Sequence, residues 1–401
     1  MNTYLMCKDK LVLEFNYDEG LYDIKDSGLL PFQLKNRLLE VPNLENLTGN
    51  VDIQKTLNLI VKARTHNQEE INKYLARRVL SLSRENAKKL YSLFGFEQLQ
   101  DDYSKAKIAT ACRSVSLSDN YWIKSSNDPV TWKDVSLRSN SLSETVAIVA
   151  LHGSSLSLQG KVHTPELLTQ GAYAKAWIRE KDGLFLHKLG TKANDDIEAR
   201  IEVMVSNILD KTNVTHVQYF ACDENGRFAS KCRCMTTDTV SILTGTDFIS
   251  YCNIAGKNPD DEMIKIDKEN IYKTWITDYL ISNSDRHGGN WGFYYDSNST
   301  DILKCHPLYD HNNAFDEELM KNKDADYIFF GGQRSMKETA MYAVKRVDYK
   351  FNEKILPSDF IKPEYYESFM DRACDLGLDV EQKEQLFISD SLQNVLRPKG
   401  R

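Results

Sequence analysis

The sequence predicts an α+β fold in which a strand-rich stretch, roughly Ala174 to Met235, is followed by a mostly helical one and preceded by a partly helical N-terminal region. Three observations carry this. The middle stretch breaks into short apolar runs joined by Asp-Gly and Asn-Gly turn signals. From Asp238 onward apolar residues recur at helical spacing, most clearly in Lys268 to Ser282. The segment from about Ile53 to Phe94 has few helix breakers.

Leu11 to Phe15 alternates as a strand does, and Glu69 to Leu82 and Ser83 to Leu93 read as helices. Ser116 to Val135, rich in Ser, Asn and Asp but holding Tyr121, Trp122 and Trp132, reads as an ordered connector whose aromatics pack on a neighbour. Ala174 to Glu180 and Leu184 to Leu189 flank Lys181-Asp182-Gly183 as a β-hairpin. Asp195 to Leu209 places Ile197, Ile201, Met204, Val205 and Ile208 on one helical face. Val214 to Phe220 and Arg227 to Met235 form a second strand pair around Asp223-Glu224-Asn225-Gly226. Trp291 to Tyr295 and Ile302 to His306 form a third, and Pro363 to Leu376 and Glu381 to Val395 read as terminal helices. These patterns divide the chain into 1–140, an N-terminal subdomain with its connector, 141–238, strand-rich, and 239–401, mostly helical.

Composition narrows the function classes. With 401 residues, 41% hydrophobic and 27% charged, the chain is long enough for two or three cores. No apolar run is long enough to cross a bilayer, and Met1 to Leu13 carries Lys8 and Asp9 where a signal peptide needs apolar residues. A cytoplasmic protein without membrane attachment is expected. The eight cysteines show no C-x-x-C spacing, so reduced thiols are expected rather than a structural zinc. A net charge of −7 argues against general attachment to nucleic acid. Nine Lys or Arg against three Glu between Lys55 and Lys89 leave direct nucleic-acid binding an open question, with a solvated helix face as the ordinary reading.

The stretch NSDRHGGNWGFYY, Asn283 to Tyr295, packs Asp285, His287 and Asn290 into a tight loop directly after an apolar helix. The hairpin that follows returns the chain to its start, so Asp310, in PLYDHNNAFD, can approach Asn290. Phosphoryl transfer needs one carboxylate to receive or orient the attacking hydroxyl, and hard oxygen ligands to hold magnesium against phosphates. Asp285 suits the first role; Asn290 and Asp310 suit the second. A phosphate-contacting cation is expected from a strand beneath a loop, where Lys188 stands. Glu202 is the preferred partner for Lys188, with Glu198 one turn away. The loop before it, Leu168 to Tyr173, offers small residues where a backbone could approach phosphate. The competing reading pairs Asp285 with His287 and Asp310 with His311 as ligands of a metal-dependent hydrolase. It leaves Asn290, Lys188 and the strand-helix-strand order unused. His287 then reads as a residue bracing the loop.

HTPELLTQGAYAKAW (His163 to Trp177), LFLHKLG (Leu184 to Gly190), EVMVSNIL (Glu202 to Leu209), SDRHGGNWGF (Ser284 to Phe293) and PLYDHNNAFD (Pro307 to Asp316) together resemble the HipA-like serine/threonine kinase family, compact Gram-positive type. The D-R-H-x-x-N form is also similar to the catalytic loop of phosphoinositide kinases. The resemblance covers roughly Ser141 to the C-terminus and implies a bilobal protein-kinase-like fold, with ATP and Mg2+ as donor complex and protein serine or threonine as acceptor. It implies Asp285 as catalytic base, Asn290 and Asp310 as metal ligands, and Lys188 with Glu202 as the phosphate-binding pair. Thr169, Gln170, Gly171 and Ala172 fall in the nucleotide-covering loop, and Met235 to Asp238 at the hinge. Thr164 and Thr169 become candidates for autophosphorylation, and a helix-turn-helix antitoxin becomes a possible partner. Two other functions share these residues: a nucleotide-binding regulatory module with weak catalysis, and a phosphoinositide or small-molecule kinase.

Overall fold

In a computed structural model of the protein, the structure describes residues 2–16, 19–42, 53–96, 101–158 and 162–380. The expected helix Glu381 to Val395 lies outside the described residues. The class is α+β, as the sequence implies.

The chain opens with β1 (Asn2–Cys7), β2 (Lys10–Asn16) and β3 (Leu21–Ile24), then α1 (Ile53–Ala76), α2 (Ala87–Leu93) and α3 (Asp102–Ala111), and β4 (Tyr121–Ser125). The four strands make one antiparallel sheet in the order β3-β2-β1-β4. The connector is therefore partly a strand. Trp122 is fully buried among Met6, Val135, Leu137 and Leu184, and its indole N–H donates to Lys8 O at 2.7 Å.

Helix α1 stops at Ala76, short of the expected Leu82. The segment from Arg77 to Asn86 leaves helical geometry because its backbone and arginines are engaged elsewhere. Leu80 N–H donates to Leu167 O, Arg78 is paired with Asp119 at 2.6 Å, and Asn86 sits at φ 63°. Most of the basic run is solvated, with Lys55, Lys62, Arg64, Arg77, Lys88 and Lys89 exposed, whereas Arg84 is buried against Glu166.

Next come α4 (Trp132–Val135) and α5 (Glu144–His152), then β5 (Lys175–Glu180), β6 (Gly183–Leu189), α6 (Ile197–Asp210), β7 (Tyr219–Asp223) and β8 (Phe228–Arg233). The second sheet is antiparallel, ordered β5-β6-β8-β7. Its β7–β8 turn puts Asn225 at φ 56° and Gly226 at φ 78°, the paired positive φ values of a type I′ hairpin turn. The face of α6 formed by Ile201, Met204, Val205 and Ile208 is buried, at about 1.5–3 kcal/mol per side chain. The expected strand from Val214 begins only at Tyr219. Val217 N–H instead donates to Leu308 O and Leu308 N–H to Thr215 O, which ties this segment to the approach to Asp310.

The remainder holds β9 (Val240–Thr244), α7 (Gly245–Ile254), α8 (Pro259–Leu280), β10 (Gly292–Asp296), β11 (Ile302–Cys305), α9 (Glu317–Lys321), α10 (Met336–Val344) and α11 (Pro363–Asp375). Strand β9, which the sequence reading placed in helical text, completes a three-stranded sheet β11-β10-β9. Helix α8 kinks at Asp267 (φ −154°), whose carboxylate caps Asn270 N–H at 3.2 Å and accepts Cys305 N–H at 3.0 Å. Beyond the kink, Ile271 to Leu280 is buried all round. No described helix is long and apolar enough to cross a membrane, and all eight cysteines are free.

Candidate active site

Lys188 lies near the end of β6, between β5 and β8, and is buried. Its ammonium reaches Glu202 Oε1 on α6 at 3.1 Å and Asp310 Oδ1 at 2.5 Å. Ser230, directly opposite Lys188 on β8, donates to the other Glu202 oxygen at 2.5 Å. Burial disfavours charge on all three groups, but the carboxylates of Asp310 and Glu202 hold Lys188 protonated well above its ordinary value. Burial also opposes ionisation of Asp310, yet Lys188 and then Lys175 depress its pKa far below the carboxylate range. Glu202 is pushed up by burial, with Lys188 opposing. Glu198 turns away to accept Thr191 N–H and Oγ1–H, each at 2.7 Å.

The loop after α8 is built on a buried ion pair. Arg286 and Asp278 are both fully buried, with Arg286 Nη2 to Asp278 Oδ1 at 3.0 Å; Asn283 and Tyr327 also donate to Asp278. The other end of the guanidinium donates to Asn290 O and Tyr309 O, each at 2.7 Å. One side chain thereby fixes the backbone beside both expected metal ligands. Asn290 Nδ2 donates to Asp285 O at 2.8 Å, and Asp285 Oδ2 accepts from Asn313 Nδ2 at 2.9 Å. The Asp285 side chain is 32% exposed, so it stays within reach of an incoming group. His287 accepts Gly289 N–H on Nδ1 at 2.9 Å and lies on the surface. His311 is buried and receives Arg286 Nη2 at 3.3 Å. Among the described residues, the two aspartate–histidine pairs do not converge as a cluster of three ligands.

The loop ahead of β5 is stitched to the N-terminal helical segment. Fully buried Arg84 pairs with Glu166 at 2.9 Å and donates to the carbonyls of Glu166, Thr169 and Lys175. Gln170 Nε2 donates to Val79 O at 2.8 Å, and Ala172 O accepts Glu85 N–H at 2.8 Å. Gly171 adopts φ 109°, and a Cβ there would stand 2.1 Å from Lys175 Nζ. Lys175, cross-strand from Lys188, is buried, and burial followed by the charge of Lys188 lowers its pKa to about 8. Tyr173 places its ring 5.8 Å from Lys188 Nζ. The hydroxyl of Thr164 accepts Glu166 N–H and that of Thr169 donates to Pro165 O.

Met235 packs with Val217, Tyr219, Cys232, Leu186 and Tyr309 in a small apolar cluster, and its carbonyl accepts from Tyr294 at 3.1 Å. Asp238 is mostly exposed, with its carbonyl held by Asn120 Nδ2 at 3.0 Å. Sequence reasoning did not single out Arg84, Lys175, Arg286 or Asn313. Arg286 and Asn313 stood inside the quoted motifs, whereas nothing local distinguishes Arg84 from its basic neighbours.

The donor set suits magnesium: an ionised carboxylate, Asp310, and an amide, Asn290, whose nitrogen is engaged by Asp285 O so that its oxygen is the atom that could meet a metal.

No family model matches the chain, and no curated protein matches it in sequence. Among solved structures, the chain is similar to the Helicobacter pylori proinflammatory kinase CtkA, at 14% identity and a TM-score of 0.38, over 52% of this chain and 90% of that one. It is also similar to HipA of Shewanella oneidensis MR-1, solved as part of a toxin–antitoxin complex with HipB and operator DNA, at 10% identity and a TM-score of 0.47, over 93% of this chain and 95% of that one.

Proposed function

We propose that this protein is an ATP- and magnesium-dependent kinase that transfers the γ-phosphate to a serine or threonine hydroxyl of a protein, itself included. The observation that carries the reading is Lys188 held between Glu202 and Asp310, with the carbonyls of Asn290 and of Tyr309, next to Asp310, joined by Arg286 and Asn290 bonded in turn to Asp285. A structural lysine needs one partner; one bridging a helix glutamate and a loop aspartate orders a place for phosphate and metal together.

In this reading Asp285 accepts the proton of the attacking hydroxyl. Its carboxylate is oriented by Asn313 and exposed on one side. Asn290 and Asp310 hold magnesium, which when bound neutralises charge on the transferring phosphate. Lys188 and Lys175 line the phosphate side, and Tyr173 with the backbone of Thr169 to Ala172 covers it. The apolar cluster around Met235 and Val217 offers the base a dry surface beside the Met235 to Asp238 hinge.

Protein as acceptor, and a helix-turn-helix antitoxin as partner, are supported by the motif resemblance. The test is incubation with γ-labelled ATP and magnesium, alone, with cell lysate and with phosphoinositide vesicles, comparing wild type with Asp285→Ala. Label on protein that disappears in the variant is expected. Turnover unchanged by Asp285→Ala would refute the assigned base, and label on lipid alone would replace the acceptor class.

A further inference from the structure

We infer a zinc site on the face of the second sheet opposite Lys188, made by His187, Cys222 and Glu224. Successive residues of a strand face opposite ways, so His187 points away from α6 while Lys188 points toward Glu202. The donor atoms of His187, Cys222 and Glu224 all lie within 4.8 Å of one another. His187 Nδ1 is 3.7 Å from Cys222 Sγ. Tetrahedral zinc with ordinary Zn–N and Zn–S bonds sets that edge at about 3.6 Å, so nitrogen and sulfur already stand at coordination spacing.

The neighbouring groups fit. His187 Nε2 faces Glu180 Oε1 at 2.8 Å, and Glu180 is gripped by Lys231 Nζ at 2.8 Å. A carboxylate on the far nitrogen fixes the tautomer that leaves Nδ1 free to bind metal. On the other side, Glu224 Oε2 lies 3.6 Å from His152 Nε2, at the last residue of α5. The Glu224–His187 contact, 2.6 Å, would open slightly to admit the ion, while His152 keeps its contact with Asn225 Nδ2 at 3.0 Å. An ion-pair arrangement of His187 with its two glutamates does not call for the sulfur of Cys222 beside the same nitrogen. Thiolate and imidazole donors select zinc over magnesium or calcium, and three protein donors leave the fourth tetrahedral position to water. Binding deprotonates Cys222 and ties β6 to the β7–β8 hairpin.

The test uses full-length protein, stripped with chelator and titrated with cobalt(II) and then zinc, with metal content measured after desalting. One equivalent per chain is expected, with near-ultraviolet cobalt–thiolate absorption that zinc abolishes and a zinc-dependent rise in melting temperature. Cys222→Ser should lose the absorption and the zinc-dependent rise while melting like metal-free wild type. Glu180→Gln should weaken binding about tenfold or more. Folded wild type that retains no metal, or one equivalent retained equally by Cys222→Ser, would overturn the site. All these readouts are independent of kinase activity.

Discussion

The ammonium of Lys188 lies 2.5 Å from Oδ1 of Asp310, 122 residues away in the chain, and the Val217–Leu308 backbone bond ties the segment ahead of β7 to the approach to Asp310. With Glu202 on its other side, Lys188 is a charge shared by two carboxylates, one of them assigned to magnesium. Under the proposed function, Asp310 would hold the metal while Lys188 would keep Glu202 and contact phosphate.

Lys188→Met therefore removes more than a contact. It should lower turnover about 10²–10³-fold, the effect of losing one preorganised group at a developing charge. Loss of stability should fall below the roughly 3–5 kcal/mol of an abandoned buried charge, because Asp310 is partly exposed and Glu202, its pKa raised by burial, can take up a proton. Steady-state kinetics with urea denaturation separates the two effects. Full turnover in the variant would contradict the role of Lys188.

Under the proposed function, Lys175 should make nucleotide binding pH-dependent. Burial, and then Lys188, depress its pKa from 10.5 to about 8. Below pH 8 it is protonated folded and unfolded, and the penalty for burying the ammonium is fully present. Between pH 8 and 10.5 the unfolded chain holds more protons, so this residue makes stability rise with pH. Triphosphate binding runs the other way: affinity for Mg-ATP should fall as pH rises through about 8, because the ammonium must be recharged. Calorimetric titration at pH 7 and 9 should show this weakening in wild type and a flatter dependence in Lys175→Met.

How far the sequence reveals this site depends on whether each residue acts locally. Asp285, His287 and Asn290 fall in one loop, and the hairpin to Asp310 has a turn signal of its own, so their proximity is legible. Strand β9 is hidden because Val240 to Thr244 is a short run whose partner, β10, lies far along the chain. Strand β4 is hidden likewise by its pairing with β1. Arg84 and Arg78 look like the other basic residues of a helical stretch, and only their long-range partners, Glu166 and Asp119, bury them. Propensity sees the neighbours of a residue along the chain, whereas burial of a charge is decided by residues far from it.

Arg84 couples the N-terminal region to the loop ahead of β5. Arg84→Met strands Glu166, which is fully buried and whose pKa burial raises against the pull of Arg84. A loss of about 3–5 kcal/mol is expected. Adding Glu166→Gln should restore part of it, a non-additivity that a double-mutant cycle on urea unfolding would measure. With the carbonyls of Thr169 and Lys175 released, KM for ATP should rise more than kcat falls. Strictly additive energies would show that the pair acts as two separate groups.

Asp278 tests whether the catalytic loop depends on the helix beneath it. Its carboxylate receives Arg286, Asn283 and Tyr327, and Arg286 passes that support to Asn290 and Tyr309. Asp278→Asn keeps the shape but turns one acceptor into a donor facing donors, and leaves Arg286 fully buried without its counter-charge. Stability should fall by about 3–5 kcal/mol, and kcat by at least about tenfold, since misplacing a positioned group by a fraction of an ångström is enough. KM for ATP should change less, because Lys188 and the covering loop are anchored on the second sheet and the N-terminal segment rather than on α8. Kinetics well below the variant's melting temperature isolates this effect, and a variant with wild-type kcat would show that Asn290 and Asp310 are held in place without Arg286.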